Sequence, residues 1–207
     1  MIGAGGHARV LEEALNEVGF ELIGFVAPSA EGSRLSEGVE WLGNDEALLA
    51  EDSSEVLLIN GIGSAGNTAG RQVVFEKYKN AGFDFLQIIT ETANIADSVV
   101  MVEGVQVLAG AIVNTDAFVN DNTIINTGAI VEHNSQIGAH CHVATGATIC
   151  GDVTVGDGTH IGAGATVIQG ITIGSKCIIG AGAVVITDVP DGHTAVGVPA
   201  KIRPNKA

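Results

Sequence analysis

Aromatic residues are scarce in this chain of 207 residues: they make up 4% of the sequence, whereas hydrophobic residues as a whole make up 46%. A core built on packed rings is therefore excluded, and small and β-branched aliphatic side chains must fill the interior. Glycine is frequent, with 29 residues. Together these proportions indicate an interior that is narrow and regular.

Cysteine and positive charge are scarce as well. Three cysteines, with no signal peptide before them, predict reduced and buried thiols at Cys141, Cys150 and Cys177 rather than disulfides. With 9 basic and 24 acidic residues the net charge is -15, which repels nucleic acid and anionic membrane surfaces. No apolar run approaches the roughly 20 residues that cross a bilayer. We therefore expect a cytoplasmic protein with neither nucleic acid nor a membrane as its partner.

A period of six residues dominates the second half of the chain. Every sixth residue from Ile95 to Val185 is aliphatic, and four residues after each stands a small or β-branched residue such as Ala111. Helices and ordinary strands have other periods, so the pattern predicts a coil of short strands that stacks on the next coil at about 4.8 Å. Gly138 and Gly156 directly follow an aliphatic residue, where we expect a sharp corner that favours glycine.

The first part of the chain alternates strand and helix patterns. A glycine turn leads into a helix that ends near residue 19, strands are expected over 20–26, 55–60 and 83–89, and helices over 45–51 and 68–81. This alternation is typical of a small parallel sheet covered by helices. We therefore predict two domains, a small α/β domain at residues 1–89 and a repeat domain at 90–207.

The glycine turn at residues 3–8 fits Gly-x-Gly-x-x-Ala between a strand and a helix. In this geometry backbone N–H groups at the start of a helix can approach a pyrophosphate. A nicotinamide cofactor would also need an acidic residue after the second strand, where this chain has Val26, Ala27 and Pro28. A nicotinamide cofactor and a purely structural turn both remain as weaker alternatives.

The repeat resembles the hexapeptide-repeat acyltransferases, and the glycine turn in front of it is similar to that of sugar acetyltransferases that build bacterial surface glycans. These include nucleotide-4-amino-sugar N-acetyltransferases and sialic acid O-acetyltransferases. The resemblance implies a Rossmann-like α/β domain followed by a left-handed parallel β-helix. It also implies a homotrimer with active sites between subunits, acetyl-CoA as co-substrate and no metal.

The same resemblance assigns residues to the acceptor sugar. The glycine turn would hold a nucleotide-sugar together with a second loop at residues 60–64. The relatives often carry aspartates after the second strand that meet the nucleotide base, which Ala27 and Pro28 cannot replace, so the base stays open. Arg71, on the following helix, could add a positive charge to this site, but a solvated helix charge is the preferred interpretation. The substrate-binding set is Ala4, Gly5, Gly6, His7, Gly61 and Gly63.

Acetyl transfer needs a base, donors for the oxyanion and a groove for the coenzyme. By resemblance His133 is the base, and Asn134 stands where relatives have a carboxylate that orients the imidazole. An amide oxygen can accept the Nδ1–H bond but stabilises the imidazolium less than a charge does. Glu132 is the alternative orienting group.

The coenzyme contacts are also carried over by resemblance. His142 would contact acetyl-CoA or pack at the trimer seam, and His140 and His160 are expected to be exposed coil residues. The Gly151 N–H would reach the thioester oxygen. The expected coenzyme positions are His142, Gly151, Ala163 and Ala181, with Lys176, Lys201 and Arg203 near the 3′-phosphate.

The reaction predicted from these parts is direct N-acetylation of an amino-sugar, because an amine is nucleophilic without a strong base. O-acetylation of sialic acid is the alternative within the enzyme class. A zinc site like that of γ-class carbonic anhydrases is disfavoured by the histidine spacing. A non-catalytic trimeric scaffold that binds sugar nucleotides also remains, since Asn134 replaces a carboxylate.

Overall fold

The protein is described here by a computed structural model that covers residues 1–205. Its N-terminal part contains three helices, α1 (Gly6–Glu17), α2 (Asp45–Leu49) and α3 (Ala69–Asn80). Helices α2 and α3 pack on the parallel pair of β1 (Leu57–Leu58) and β2 (Asp84–Phe85), whereas α1 belongs to a separate hydrophobic cluster with Ile59 and Ile88. Within the described residues no helix combines the length and apolar character needed to cross a membrane.

The N-terminal sheet is smaller than the sequence pattern predicts. Ile2 forms single bridges to Val26 and Asn60, so the predicted strand at 20–26 is reduced to its last residues. The predicted strand at 83–89 divides in two, because its first half pairs with β1 while β3 (Ile88–Ile89) pairs with the first coil of the repeat. The repeat therefore begins slightly before residue 90.

The repeat forms a left-handed parallel β-helix, as predicted. Its strands make three sheets of 8, 6 and 5 strands, which we call the docked, second and third sheets. The docked sheet contains β3, β6 (Gln106–Val107), β9 (Ile124–Ile125), β12 (His142–Val143), β15 (His160–Ile161), β18 (Ile178–Ile179), β20 (His193–Val196) and β21 (Lys201–Pro204). The second sheet contains β4 (Asn94–Ile95), β7 (Ile112–Val113), β10 (Ile130–Val131), β13 (Thr148–Ile149), β16 (Thr166–Val167) and β19 (Val184–Val185). The third sheet contains β5 (Val100–Met101), β8 (Phe118–Val119), β11 (Gln136–Ile137), β14 (Thr154–Val155) and β17 (Thr172–Ile173).

Both inward positions of the hexapeptides are buried from Val105 onward, whereas Ile95, Val99 and Met101 in the first coil are half-buried. In one coil the aliphatic position is filled by Val131, Ile137 and Val143, which are at most 1% exposed. The small position accepts polar residues, and Ser135 is also fully buried. Its Oγ donates to the Cys150 carbonyl at 3.0 Å, so the hydroxyl is satisfied inside the coil. The predicted two-position core is confirmed.

Glycine follows the aliphatic residue at these corners for a different reason than the sharp turn expected from the sequence. Gly138 and Gly156 do not have positive φ; a Cβ on Gly156 would instead lie 2.5 Å from the Ser175 amide nitrogen in the next coil. The left-handed backbone occurs two residues later, at Gly158 and at His140. These first corner glycines are therefore required by the close approach of stacked coils.

The N-terminal domain covers one side of the triangular coil. His7, Ser64 and Thr68 form hydrogen bonds to Gln106, His142 and the Gly158 carbonyl, which all lie on the docked sheet or on the corner leading into it. The corner opposite this sheet lies between the second and third sheets, and we call it the distal corner. It points away from the N-terminal domain.

The stacking constraint predicts that Gly156→Ala lowers the free energy of unfolding by about 1–3 kcal/mol, because the new Cβ meets rigid backbone. Gly70→Ala in exposed α3 is the matched control, since a Cβ there has no atom within 4 Å. That control should be neutral or stabilising by up to about 1 kcal/mol. Urea denaturation of both variants measures the difference, and equal effects would contradict the explanation.

Candidate active site

The distal corner presents His133 with its ring held by its neighbour. His133 follows β10 and is exposed, and its Nδ1 lies 2.9 Å from Asn134 Oδ1. An amide oxygen only accepts, so Nδ1 carries the proton and Nε2 is the nitrogen that can take one. Asn134 has φ 59°, a conformation that asparagine tolerates better than most residues. The backbone thereby places the amide beside the ring.

Gly151 lies directly against the imidazole, one coil further along the helix. A Cβ on Gly151 would be 2.5 Å from both Cε1 and Nε2 of His133. The Gly151 carbonyl accepts from the Gly170 N–H at 3.0 Å, whereas none of the hydrogen bonds among residues 1–205 uses the Gly151 N–H. A backbone donor is therefore available close to the basic nitrogen.

Glu132 is not bonded to the imidazole ring. Its Oε2 accepts from Asn114 Nδ2 at 3.1 Å, so of the two orienting groups considered the structure pairs Asn134 with Nδ1. Asp116 and Asp152 occupy the position of Asn134 in the preceding and following coils, each with φ 58°. Asn134 therefore interrupts a row of carboxylates at the distal corner.

The glycine turn and the second loop lie together, as predicted for a substrate site. Gly5 is the N-cap of α1, without a side-chain cap, and the first turn of α1 has no acidic residue. The free N–H groups there favour an anion. A Cβ on Gly63 would be 3.0 Å from the His7 Cβ, and one on Gly61 would be 2.8 Å from the Ile2 carbonyl oxygen. Only glycine permits this packing of the loop on the turn.

The two residues between Gly3 and the α1 N-terminus complete the turn. The Ala4 carbonyl accepts from the Arg34 N–H at 2.8 Å, and a Cβ on Gly5 or Gly6 would have no atom within 4 Å. Gly5 and Gly6 are exposed, so open surface remains above the turn.

His7 joins the turn to the coils. Its Nε2 lies 2.8 Å from Gln106 Oε1 in β6. Burial and, to a smaller extent, the charge of Arg71 lower the pKa of His7 to about 4. His7 is therefore neutral at physiological pH and links the domains through a hydrogen bond.

His142 is buried between the second loop and the coils. Its Nδ1 lies 2.6 Å from Ser64 Oγ and its Nε2 2.9 Å from Asn126 Nδ2. Burial lowers the pKa of His142 to about 3. Both ring nitrogens are thus engaged within the chain, and the contact with acetyl-CoA stays a prediction.

Three residues expected on the surface are buried, and those expectations are wrong. His140 Nδ1 accepts from Asn122 Nδ2 at 3.0 Å, and its ring packs edge-on against Phe75. The His160 ring packs edge-on against His142 at 5.1 Å, and Arg71 is 1% exposed. The N-terminal domain covers them, and the hexapeptide pattern does not show which face is covered.

The remaining predicted coenzyme positions lie elsewhere on the coil. Ala163 and Ala181 are exposed at the corner between the docked and second sheets, one side of the triangle away from Gly151. Lys176 and Arg203 line a cavity of about 560 Å³ between the start of α3 and the end of the docked sheet, whereas Lys201 is not among its lining residues.

No other catalytic group stands out in residues 1–205. Cys141 and Cys177 are buried, as predicted, and burial raises the pKa of both thiols; Cys150 is only half-buried. No cluster of three His, Cys, Asp or Glu side chains in this part of the chain could hold a metal ion.

Comparisons with known proteins agree with the fold. The PglD N-terminal domain family matches residues 1–78, and the bacterial transferase hexapeptide family (six repeats) matches residues 152–187. PerB from Caulobacter crescentus, solved with CoA and GDP-perosamine, is 40% identical with a TM-score of 0.88, over 98% of this chain and 95% of PerB. The comparison with curated protein sequences gave no match.

The acetyltransferase domain of PglB from Neisseria gonorrhoeae, also solved with acetyl coenzyme A, is 32% identical over 97% of this chain and 96% of that domain, with a TM-score of 0.88. WeeI from Acinetobacter baumannii shares the fold at 18% identity, with a TM-score of 0.65 over 98% of this chain and 97% of WeeI. The fold and site define a hexapeptide-repeat acyltransferase. The chain belongs to the group of these enzymes that carries a PglD N-terminal domain, which confirms the resemblance stated from the sequence.

The buried histidines predict a loss of stability in acid. The folded-state pKa values of His7 and His142, about 4 and about 3, lie below the unfolded value of 6.5, so the unfolded chain binds protons first. Stability is complete above pH ~6.5 and falls as the pH decreases, by up to about 1.4 kcal/mol per pH unit for each histidine. His142→Gln should flatten this dependence in thermal melts between pH 7.5 and 5, whereas His193→Gln should leave it unchanged; a wild-type melt independent of pH in this range would contradict the prediction.

Proposed function

We propose that the protein is an acetyl-CoA-dependent N-acetyltransferase that acts on a nucleotide-linked amino-sugar in bacterial surface glycan biosynthesis. The observation that carries the proposal is the pairing of an oriented, exposed His133 with a free backbone donor at Gly151. The relatives support the substrates, because PerB is solved with CoA and GDP-perosamine and PglB with acetyl coenzyme A.

His133 is the proposed general base. The acceptor amine attacks the thioester carbonyl, and Nε2 takes the proton that the amine loses as the new C–N bond forms. The Asn134 amide oxygen holds Nδ1–H and fixes the tautomer. When the intermediate collapses, the C–S bond breaks and the CoA thiolate leaves and is protonated. Related structures of a Caulobacter crescentus perosamine N-acetyltransferase carry a replacement of one histidine by asparagine or alanine, which fits a histidine base.

Gly151 has two proposed functions. Its N–H donates to the oxyanion of the tetrahedral intermediate, a contribution that typically changes rates by about 10²–10³. Its missing Cβ leaves room for the imidazole, since any side chain would occupy the place of Nε2. Base and oxyanion donor therefore lie on adjacent coils at one corner.

The acceptor site proposed is the α1 N-terminus with the loop at residues 60–64. Uncapped N–H groups at Gly5 and Gly6 suit a phosphate, and His7, Gly61 and Gly63 hold the loop against the turn. The division into a substrate domain at 1–89 and an acyltransferase domain at 90–207 is part of this proposal.

The coenzyme is proposed to lie between two chains, along the corner formed by Ala163 and Ala181 of one chain, where small side chains leave the backbone accessible, with its thioester at Gly151 of the neighbouring copy. The cavity that contains Lys176 and Arg203 is the proposed place of its phosphates. His142 would contact the coenzyme only by van der Waals packing of its ring, because both of its ring nitrogens are in hydrogen bonds within the chain.

A homotrimer is proposed because the acceptor site and the base lie too far apart within a single chain. The N-terminal domain covers the docked sheet, while His133 lies on the distal corner. A side of six residues spans up to about 20 Å at about 3.3 Å per residue, too far for direct transfer. A neighbouring copy can place its distal corner beside the acceptor site. The absence of disulfides among residues 1–205 is consistent with the cytoplasm as the place of this reaction.

O-acetylation of sialic acid is the second candidate reaction. A hydroxyl is harder to activate than an amine, and Asn134 offers the base no charge, so the site favours the amine. A trimeric scaffold without catalysis would have no use for the unobstructed ring of His133 over Gly151.

His133→Ala should reduce turnover by about 10²–10⁴ while keeping acetyl-CoA binding, because only the base is lost. Gly151→Ala should cause a comparable loss, since its Cβ displaces the imidazole. Release of CoA thiol is followed with UDP-, GDP- and dTDP-linked 4-amino-sugars and with free and CMP-linked sialic acid.

Gly70→Ala is the control for the added methyl group and should keep full turnover. Activity only with sialic acid would establish the second candidate. Silence of the folded wild type on every acceptor, or full activity of His133→Ala, would refute the proposed reaction.

Mixed trimers test whether each site takes residues from two chains. His133→Ala lacks the base, and Gly63→Trp blocks the acceptor loop, so each variant alone should be inactive. Random co-assembly should restore about a quarter of wild-type turnover if neighbouring chains complete each site, because one of four ordered pairs joins two intact parts. No recovery in verified mixed trimers would place the site within one chain.

A further inference from the structure

A positive charge is buried below the second loop without an acidic partner. The Arg71 guanidinium is bound by backbone carbonyls: Nε donates to Asn122 at 3.0 Å, and Nη1 donates to Asn60 at 2.7 Å and to Ile62 at 2.9 Å. In residues 1–205 no carboxylate oxygen lies within 4.0 Å of it. Buried charges are normally paired, so this arrangement requires a reason.

The surroundings of Arg71 do not neutralise it. Nη2 is buried and has no hydrogen-bond partner among the described residues. Its charge lowers the pKa of His7, His140 and His142, after the larger effect of burial on each, so these rings remain neutral. Burial lowers the pKa of Arg71 itself to about 9, which leaves the guanidinium charged at neutral pH.

The guanidinium lies beneath the proposed acceptor site. Nη1 bonds the Ile62 carbonyl, and the Ile62 Cγ1 is 3.2 Å from where a Cβ on Gly3 would be. Gly63, the next residue of the loop, packs on His7 of the turn. Arg71 is therefore adjacent to both segments of the site while remaining inaccessible to solvent and to a ligand.

We propose that Arg71 is a positioning residue that gives the acceptor site its selectivity for a nucleoside diphosphate, through an unneutralised charge that never touches the ligand. The inference rests on the proposed function and identifies the group that makes a diphosphate-bearing acceptor acceptable. The chain has a net charge of -15 and would otherwise repel such an anion. A charge in buried surroundings is weakly screened, so it acts on a ligand of the loop whose Asn60 and Ile62 carbonyls it binds.

A mechanical function of Arg71 gives a different expectation. If the guanidinium only fastens the loop at residues 60–64, its loss weakens every ligand of that loop, charged or not. If its charge selects the diphosphate, removing the charge lowers the affinity for the nucleoside diphosphate and leaves the affinity for the nucleoside nearly unchanged. The ratio of affinities for a nucleoside diphosphate and the matching nucleoside separates these two functions.

The test uses the full-length protein and calorimetry with UDP, GDP and dTDP and their nucleosides. Arg71→Met removes the charge. Asn122→Asp keeps Arg71 and adds a carboxylate, without changing side-chain size, to the residue whose backbone carbonyl accepts from Arg71 Nε. Its φ of 55° is close to that of Asp116 and Asp152, and the substitution also removes the hydrogen bond that Asn122 Nδ2 donates to His140 Nδ1. Asn16→Asp makes the same change of amide to carboxylate at an exposed position near the end of α1 and is the control.

Both test variants should lose about 10- to 100-fold in diphosphate affinity and no more than about threefold in nucleoside affinity, the size expected of one nearby unscreened charge. The control should match the wild type. Equal losses for diphosphate and nucleoside, or no loss in Asn122→Asp, would overturn the inference. If Arg71→Met does not fold, Asn122→Asp decides alone.

Failure of this inference is distinguishable from failure of the proposed function. If the wild type binds no nucleoside diphosphate, Arg71 has no such ligand to select and the inference is overturned. The acetyl-transfer assay on nucleotide-linked and free amino-sugars then shows separately whether the enzyme is active on an acceptor without a nucleotide.

Discussion

The hydrogen-bond ladder between successive coils is the constraint on which the rest of the structure depends. Ile130 N–H donates to the Ala147 carbonyl at 2.8 Å and Thr148 N–H to the Ala165 carbonyl at 2.8 Å, and the same pairing repeats along each sheet. It brings equivalent residues of neighbouring coils to about 4.8 Å. This spacing leaves no room for a Cβ at Gly138 and Gly156, and it brings together the pairs Asn114–Glu132, Asn122–His140 and His133–Gly151. The contact of the His133 ring with Gly151 therefore depends on the same spacing between coils as the packing of the core.

The fold of the repeat could be predicted because each hexapeptide contains in its own sequence the residues that determine its conformation. An aliphatic residue at every sixth position and a small residue four later are local signals that tertiary context does not override, and both positions are buried. The small sheet at the start of the chain was predicted less well. Its strands are short, and packing on the coils determines where they end. The Leu86 N–H still donates to the Leu58 carbonyl, whereas the Ile88 N–H already donates to Val105 in the first coil. A continuous apolar run cannot show where the chain leaves one sheet for another.

The parts of the candidate site that depend on local backbone conformation could be predicted from the sequence. The parts that depend on how the N-terminal domain docks on the coils could not. The glycine turn, the loop at residues 60–64 and the His133–Asn134 pair could be found from motifs, and the structure brings each of them into the expected local geometry. Arg71 and His140 were expected on the surface, because a charged residue on a helix is usually solvated and no motif assigns a function to His140. They lie under the N-terminal domain, whose position on the docked sheet no periodicity encodes. Gln106 and His142, polar residues that precede inward aliphatic ones in that sheet, were the available signal.

The repeat also limits how such an enzyme can change over evolutionary time. A deletion of one residue within a coil would turn inward side chains outward, but loss or gain of a complete coil would preserve every corner. Such a step would move the corner that carries His133 relative to the covered sheet in increments of about 4.8 Å. The distance between acceptor and base is therefore adjustable only in discrete steps, and finer adjustment for sugars of different length falls to the loops of the N-terminal domain.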